Sequence, residues 1–245
     1  MRTKGDNDMK LSLAGLVIEI SPRYEYTSNL VKDYVTEEGE CDFSVNVTDD
    51  DIQREAEASE ETYSKGYLES IALYRKIAEV IPRYDAIVFH GAVVAYEGRA
   101  YAFTARSGVG KTTHLRLWQK LLGDKVTVLN GDKPIIRVIN GIPYACGTPW
   151  RGKEGYGEAQ MLPLSAIGFI ERAQLPTVSP MGITEATMRL ASQIYVPSSE
   201  KEAKAALGVL GKIISGVRFF RIEANMELES AKASYDAFVG DLKSE

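Results

Sequence analysis

"FTARSGVGKTTHLRLW", Phe103 to Trp118, decides the fold. An apolar, strand-type run gives way to small residues. Lys111-Thr112 then opens a stretch with Leu115, Trp118, Leu121 and Leu122 on one helical face. The stretch fits the pattern G-x-x-x-x-G-K-[ST] at seven of eight positions, with Ala105 where the first glycine belongs. In such a loop, successive N–H groups point inward and cradle an anion. The positive end of the following helix adds to the attraction.

Arg106, Ser107, Gly108, Val109, Gly110, Lys111, Thr112 and Thr113 are therefore the candidate phosphate-binding set. Gly108 and Gly110 let the backbone turn without a Cβ in the way. Lys111 would reach the β/γ-phosphates of a triphosphate, and Thr112 would offer its hydroxyl to Mg²⁺. At Ala105 the outcome turns on φ. A negative φ makes the methyl harmless, whereas a positive φ strains the loop by ~1 kcal/mol. The plain alternative is a glycine turn before an amphipathic helix, and the strand–loop–helix context weighs against it.

Working outward, Mg²⁺ on a triphosphate needs a further protein anchor. "VTVLNGD" ends an apolar strand at Asp132, in the manner of a carboxylate placed after the next strand. A simple strand-end turn is the alternative for Asp132. "GTPWRGKEGYG" puts Arg151 and Lys153 into a glycine-rich segment, which suggests a mobile loop with two cations for transferring phosphate; a surface turn anchored by Trp150 fits equally. His90 lies in the apolar run "AIVFHGAVV", either as a core histidine or at a strand edge facing the phosphates. His114, on the helix, reads as structural.

The chain has 245 residues, 44% hydrophobic and 26% charged, which fits a globular protein of one large domain or a domain with a small lobe. Its two cysteines, Cys41 and Cys146, and two histidines exclude a disulfide scaffold and a histidine-rich metal centre. The net charge is −5, but residues 37–61 carry eleven acids and one base, Arg54. That balance disfavours nucleic acid as a partner and reads as a solvated helix surface. "LSLAGLVIEI" is broken by Ser12 and Glu19 and reads as a strand, neither signal peptide nor membrane span. A cytoplasmic setting is the default.

Two segments are expected: an N-terminal α+β lobe over 1–82 and a nucleotide-binding unit over 83–245. In the first, "KLSLAGLVIEI" and "DFSVNV" read as strands with a short helix over "SNLVKDYV". Tyr63, Tyr67, Ile71, Tyr74, Ile77 and Ile81 recur at helical spacing and are expected to be core, with Pro82 as the stop. In the second, "YDAIVFHGAVVAYE" and "AYAFT" read as a hairpin joined near Glu97-Gly98-Arg99, and Asn140-Gly141 turns another between "KPIIRVI" and "IPYAC". "SAIGFIERA" and "VRFFRIEA" read as strands, and residues 182–194, 198–215 and 227–240 as helices. Hairpins on both sides of the loop predict a mixed, largely antiparallel sheet rather than an all-parallel one.

"HGAVVAYEGRAYAFTARSGVGKTT" resembles the core of the bacterial HPr kinase/phosphorylase catalytic domain, down to the twenty residues between His90 and Gly110. "SGVGKTT" also resembles the loop of ATP-dependent phosphoenolpyruvate carboxykinase, which shares that fold. With "NGDKPIIR" and "GTPWRGK" the chain is similar to a subgroup of HPr-kinase-like proteins, best over residues 84–172. The resemblance implies a P-loop kinase with a mixed sheet, using ATP and Mg²⁺ to phosphorylate a serine hydroxyl. It implies His90 near the phosphates. The chain departs from it at Ala105, at Gly131-Asp132 where two acids often stand, and in lacking the C-terminal HPr-recognition signature.

The expected activity is transfer of phosphoryl to a hydroxyl of a serine-containing peptide, a protein or free serine. Lys111 holds phosphate, Asp132 and Thr112 hold metal, Asp132 with His90 handles the proton, and Arg151 or Lys153 stabilises charge. No membrane is expected as a partner, and a homo-oligomer is compatible with the reading. A nucleotide-binding regulatory or scaffold module without catalysis is the second reading, and a decarboxylating carboxykinase the third.

Overall fold

The computed structural model describes residues 8–106 and 108–240. The first segment holds β1 (Met9–Leu13), β2 (Leu16–Ile20), α1 (Glu25–Val31), β3 (Phe43–Val45), α2 (Asp49–Glu57) and α3 (Lys65–Val80). β1 and β2 form an antiparallel hairpin, and β3 adds parallel to β2. The stretch expected to be one strand therefore folds back on itself. Ala14 and Gly15 both take positive φ, 53° and 71°, the pairing that a two-residue hairpin turn needs. Thr48 and Asp51 cap α2 reciprocally, each side chain bonding the other's backbone N–H. Ser64 caps α3.

The second segment runs β4 (Ala86–Val88), β5 (Ala92–Tyr96), β6 (Arg99–Thr104), α4 (Lys111–Leu122), β7 (Val126–Asn130), β8 (Ile135–Ile139), β9 (Ile142–Cys146), β10 (Met161–Arg172), β11 (Thr177–Pro180), α5 (Ile183–Ala191), α6 (Glu200–Gly216), β12 (Arg218–Ala224) and α7 (Leu228–Val239). Nine strands share one mixed sheet in the order β4-β8-β9-β10-β6-β5-β7, with β12 on β10 and β11 on β12. Only β10 with β6 and β10 with β12 pair in parallel; the other ladders are antiparallel.

Both faces of this sheet are covered, so its central strands are apolar on both sides. Along β6, Ala100 and Ala102 face a core shared with α5 and α6, while Tyr101 and Phe103 face one shared with α4 and α7. A third core joins the two segments: Leu11, Ile18, Ile77 and Ile81 pack with Val88, Ile135 and Trp150.

The tyrosine stripe divides. Ile77 and Ile81 are buried, but Tyr63, just before α3, is exposed and Tyr67, in its first turn, is half-buried. The run "YDAIVFHGAVVAYE" is also two strands. β4 pairs with β8, and β5 with β6 and β7, so the chain changes partners at His90-Gly91. A Cβ at Gly91 would lie 2.2 Å from the Phe89 ring and 2.8 Å from the Phe103 carbonyl, so only glycine fits that crossing. Among the described residues no helix is long and apolar enough to cross a membrane.

Candidate functional site

β6 delivers the chain to residues 105–110, and α4 begins at Lys111. Gly110, the residue before the helix, has φ 128°, and Gly108 has φ 75°; both values exclude a side chain at little strain. Among the described residues, positive φ outside glycine occurs at Ala14, Asp85, Glu97 and Asn140, and Ala105 is not one of them. Its methyl is buried in the core with Phe103 and Leu115. The alanine therefore costs the loop no left-handed strain. Ser107 lies outside the described residues.

The loop's carbonyls must point outward if its N–H groups are to point inward. Arg172, at the end of β10, answers two of them: Nη2 donates to Gly108 O at 2.5 Å and Nε to Val109 O at 3.3 Å. Lys111 reaches back along the loop, with Nζ 3.3 Å from Ala105 O. Its ammonium is held below the usual lysine range, chiefly by burial, while the charge of Asp132 opposes the shift. Thr112 and Thr113 are half-buried in the first turn, and the exposed Arg106 opens the loop.

Asp132 is placed by backbone as much as by side chains. Asn130, fully buried at the end of β7, accepts from the N–H groups of Asp132 and Lys133, both at 2.8 Å. Asn130 donates in turn to Thr148 O and Oγ1, and Thr148 donates to Lys133 O at 2.7 Å. This asparagine-centred turn projects the carboxylate. Oδ1 lies 3.4 Å from His90 Nε2, and Oδ2 lies 2.8 Å from Lys133 Nζ. Burial, the largest influence, works to raise its pKa. The hydrogen bonds and charges of His90 and Lys133 together outweigh it, and the group is held down to about 2.

His90 is half-exposed, so it is not a sealed core residue. Its backbone is fixed on both sides. Its N–H donates to Gln193 O at 2.7 Å, and its carbonyl accepts from the buried Thr104 hydroxyl at 2.9 Å. That hydroxyl lies at the end of β6, directly before the glycine loop. The Gly91 N–H donates to Asp132 O at 3.0 Å, which ties the His-Gly pair to the carboxylate turn.

The segment 147–157 is tied down rather than free. Trp150 is buried and donates to Ser70 O at 3.0 Å. The Gly131 N–H donates to Tyr156 O at 3.1 Å, and Arg116 pairs with Glu154 at 2.6 Å. Gly152 lies against the carboxylate: a Cβ there would be 2.9 Å from Asp132 Cβ. Arg151 turns the other way. It pairs with Asp33 at 3.1 Å and lies over the Tyr34 ring. Lys153 is exposed and has no ion-pair partner among the described residues. The structure thus gathers His90, Lys111 and Asp132 with Lys133, whereas Arg151 serves the contact with the first segment.

The donor set suits a hard cation. Asp132 is ionised, and Thr112 offers a hydroxyl at the second residue of α4; Mg²⁺ commonly takes one or two carboxylates and completes its shell with phosphate and water. Among the described residues there is no cluster of three or more His, Cys, Asp or Glu side chains of the kind a wholly protein-bound metal needs.

Lys133, Asn130, Thr148 and Arg172 did not declare themselves in sequence. Lys133 adjoins Asp132, and that adjacency was the one available signal.

No family model matches this chain, and no curated protein matches it. Among solved structures, the HPr(Ser) kinase/phosphatase from Coxiella burnetii superposes with a TM-score of 0.39 at 9% identity, over 64% of this chain and 93% of that one.

Proposed function

We propose that the chain is an ATP- and Mg²⁺-dependent kinase of the HPr kinase-like, P-loop type that transfers phosphoryl to a hydroxyl, serine in a peptide, protein or free amino acid. The observation that carries the reading is the convergence of the Gly108–Thr112 loop, Lys111 and the ionised Asp132, with His90 against Asp132.

The loop N–H groups and Lys111 bind the phosphates, and Arg172 keeps the loop carbonyls turned away from them. Mg²⁺, when bound, would supply neutralisation of phosphate charge. Asp132 and Thr112 are the residues that would hold it. Asp132 is too acidic to be an effective base. With Nε2–H given to Asp132, the His90 imidazole keeps its Nδ1 lone pair for the proton of the attacking hydroxyl. The acceptor O–P bond forms, the P–O bond to the diphosphate breaks, and the hydroxyl proton passes to His90. Most of the catalysis is positioning and charge stabilisation, as phosphoryl transfer requires.

Incubation with labelled ATP and Mg²⁺, offering free serine and peptides from adjacent reading frames, should yield an acid-stable phosphoester. Tight ATP binding with no transfer to any acceptor would favour the regulatory module instead.

A further inference from the structure

α2 and α3 diverge at their near ends and leave a cleft of about 350 Å³ on the first segment. Its walls are Tyr63, Tyr67 and Ile71 on one side, with Glu55, Glu60 and Glu61 around it. The Tyr63 and Tyr67 rings are tilted by 31° with centroids 4.6 Å apart, and Tyr26 meets the Tyr67 ring edge-on at 6.0 Å. Exposed aromatic faces beside carboxylates attract cations twice, through the ring quadrupole and through charge.

The acids are unevenly matched. Asp51 is paired with Arg54 and Lys76, and Glu55 with Arg75. Among the described residues no cation pairs with Glu57, Glu60 or Glu61. This is the same stretch, residues 37–61, that holds eleven acids and one base. The cleft therefore has an aromatic and aliphatic floor, and on its rim Glu60 and Glu61 carry negative charge beyond the Glu55–Arg75 pair that also lines it.

Its position matters. One turn beyond Ile71 on α3, the Tyr74 ring lies 5.3 Å from the Trp150 ring, and Trp150 leads through Arg151 into Gly152, which packs on Asp132. The helix advances ~10 Å between Tyr67 and Tyr74 at ~1.5 Å per residue. An extended chain covers that span in about three residues.

We propose that this cleft docks a basic segment of the phosphoacceptor polypeptide, with lysine or arginine on the carboxylate rim and an aliphatic side chain on the tyrosine floor, a few residues from the hydroxyl that is phosphorylated. This rests on the kinase reading above for the word phosphoacceptor, but the docking itself needs no nucleotide.

The experiment uses the full chain without ATP. Fluorescein-labelled peptides of about a dozen residues, lacking serine, alternate leucine with lysine, glutamine or glutamate, and binding is read by anisotropy. The lysine peptide should bind, the glutamate peptide should not, and raising salt from about 50 to about 300 mM should weaken binding. Glu60→Lys with Glu61→Lys should weaken it about tenfold or more. Both residues lie in the exposed connection between helices, so the fold should survive. Tyr67→Ser, which leaves charge unchanged, should also weaken it. Lys111→Ala should leave peptide binding intact while weakening ATP binding about tenfold or more, which separates failure of the docking proposal from failure of the kinase reading. Equal binding of all three peptides, or undiminished binding by the charge-reversed variant, would overturn the proposal. So would self-association of the parent chain that the same charge reversal abolishes, because it would give the cleft to a second copy.

Discussion

The chain's two histidines mark two regions that use the same chemistry in opposite ways. His114 faces inward from α4, 2% exposed, with Nε2 2.9 Å from Ser234 Oγ on α7. Trp118 donates to the same hydroxyl, and that hydroxyl donates to Ala231 O. The serine proton is thus spent, His114 must carry its own proton on Nε2, and Nδ1 is left buried without a partner. Burial holds this imidazole down to about 4. His90, by contrast, is half-exposed and shares a carboxylate with Lys133. One region keeps a histidine neutral by sealing it against the Phe103 ring; the other surrounds a histidine with charge and leaves it open. His114 belongs to the buried face of α4, the helix whose first turn carries Lys111 and Thr112.

The largest effect should come from Asp132→Asn, which keeps the turn and removes the charge. Turnover should fall by ~100-fold or more, with a much smaller loss in metal-free ATP affinity. Equal losses in both would make Asp132 a turn residue and erase the contrast between the regions. His90→Ala should lower turnover by ~10-fold or more while leaving the melting temperature nearly unchanged. A large stability loss with normal turnover per folded molecule would move His90 into the structural class of His114.

For His114 the effect is on stability. The unfolded imidazole takes its proton near pH 6.5 and the folded one near 4, so the unfolded state binds the extra proton between those values. Stability is full above that window and falls as the pH drops through it, by at most ~3 kcal/mol. His114→Leu should flatten that part of the wild-type curve, measured by urea unfolding across the range. An unchanged slope would mean the imidazole is not sealed. The smallest effect is expected at Ala105. Its φ already suits the loop, so Ala105→Gly should change ATP affinity by less than ~1.4 kcal/mol, or tenfold.

Much of this was legible in the sequence because it was carried by local pattern. The strand–loop–helix around Lys111, the Asn140-Gly141 hairpin and the strand ending at Asp132 are each read from neighbours in the chain. The errors arose where distant contacts decide. "LSLAGLVIEI" hides a hairpin because Ala14 adopts the left-handed backbone that sequence expects of glycine or asparagine. β11 is short, follows Pro176, ends on Pro180 and pairs only at the sheet edge with β12, so its sequence carries little strand signal. For Arg151 the sequence leaves a phosphate role and a packed turn equally open; Asp33, 118 residues away, holds it. Arg172 reaches the glycine loop only because β10 lies parallel beside β6, a pairing no local window contains.

Titrating ATP into the full chain by calorimetry, with and without Mg²⁺, and repeating this with Lys111→Ala, tests the central claim most directly. The account predicts Mg²⁺-strengthened binding to the parent chain, loss of about tenfold or more in the variant, and an unchanged melting temperature for the variant. Equal ATP affinity in the two proteins, or no binding to either, would contradict it.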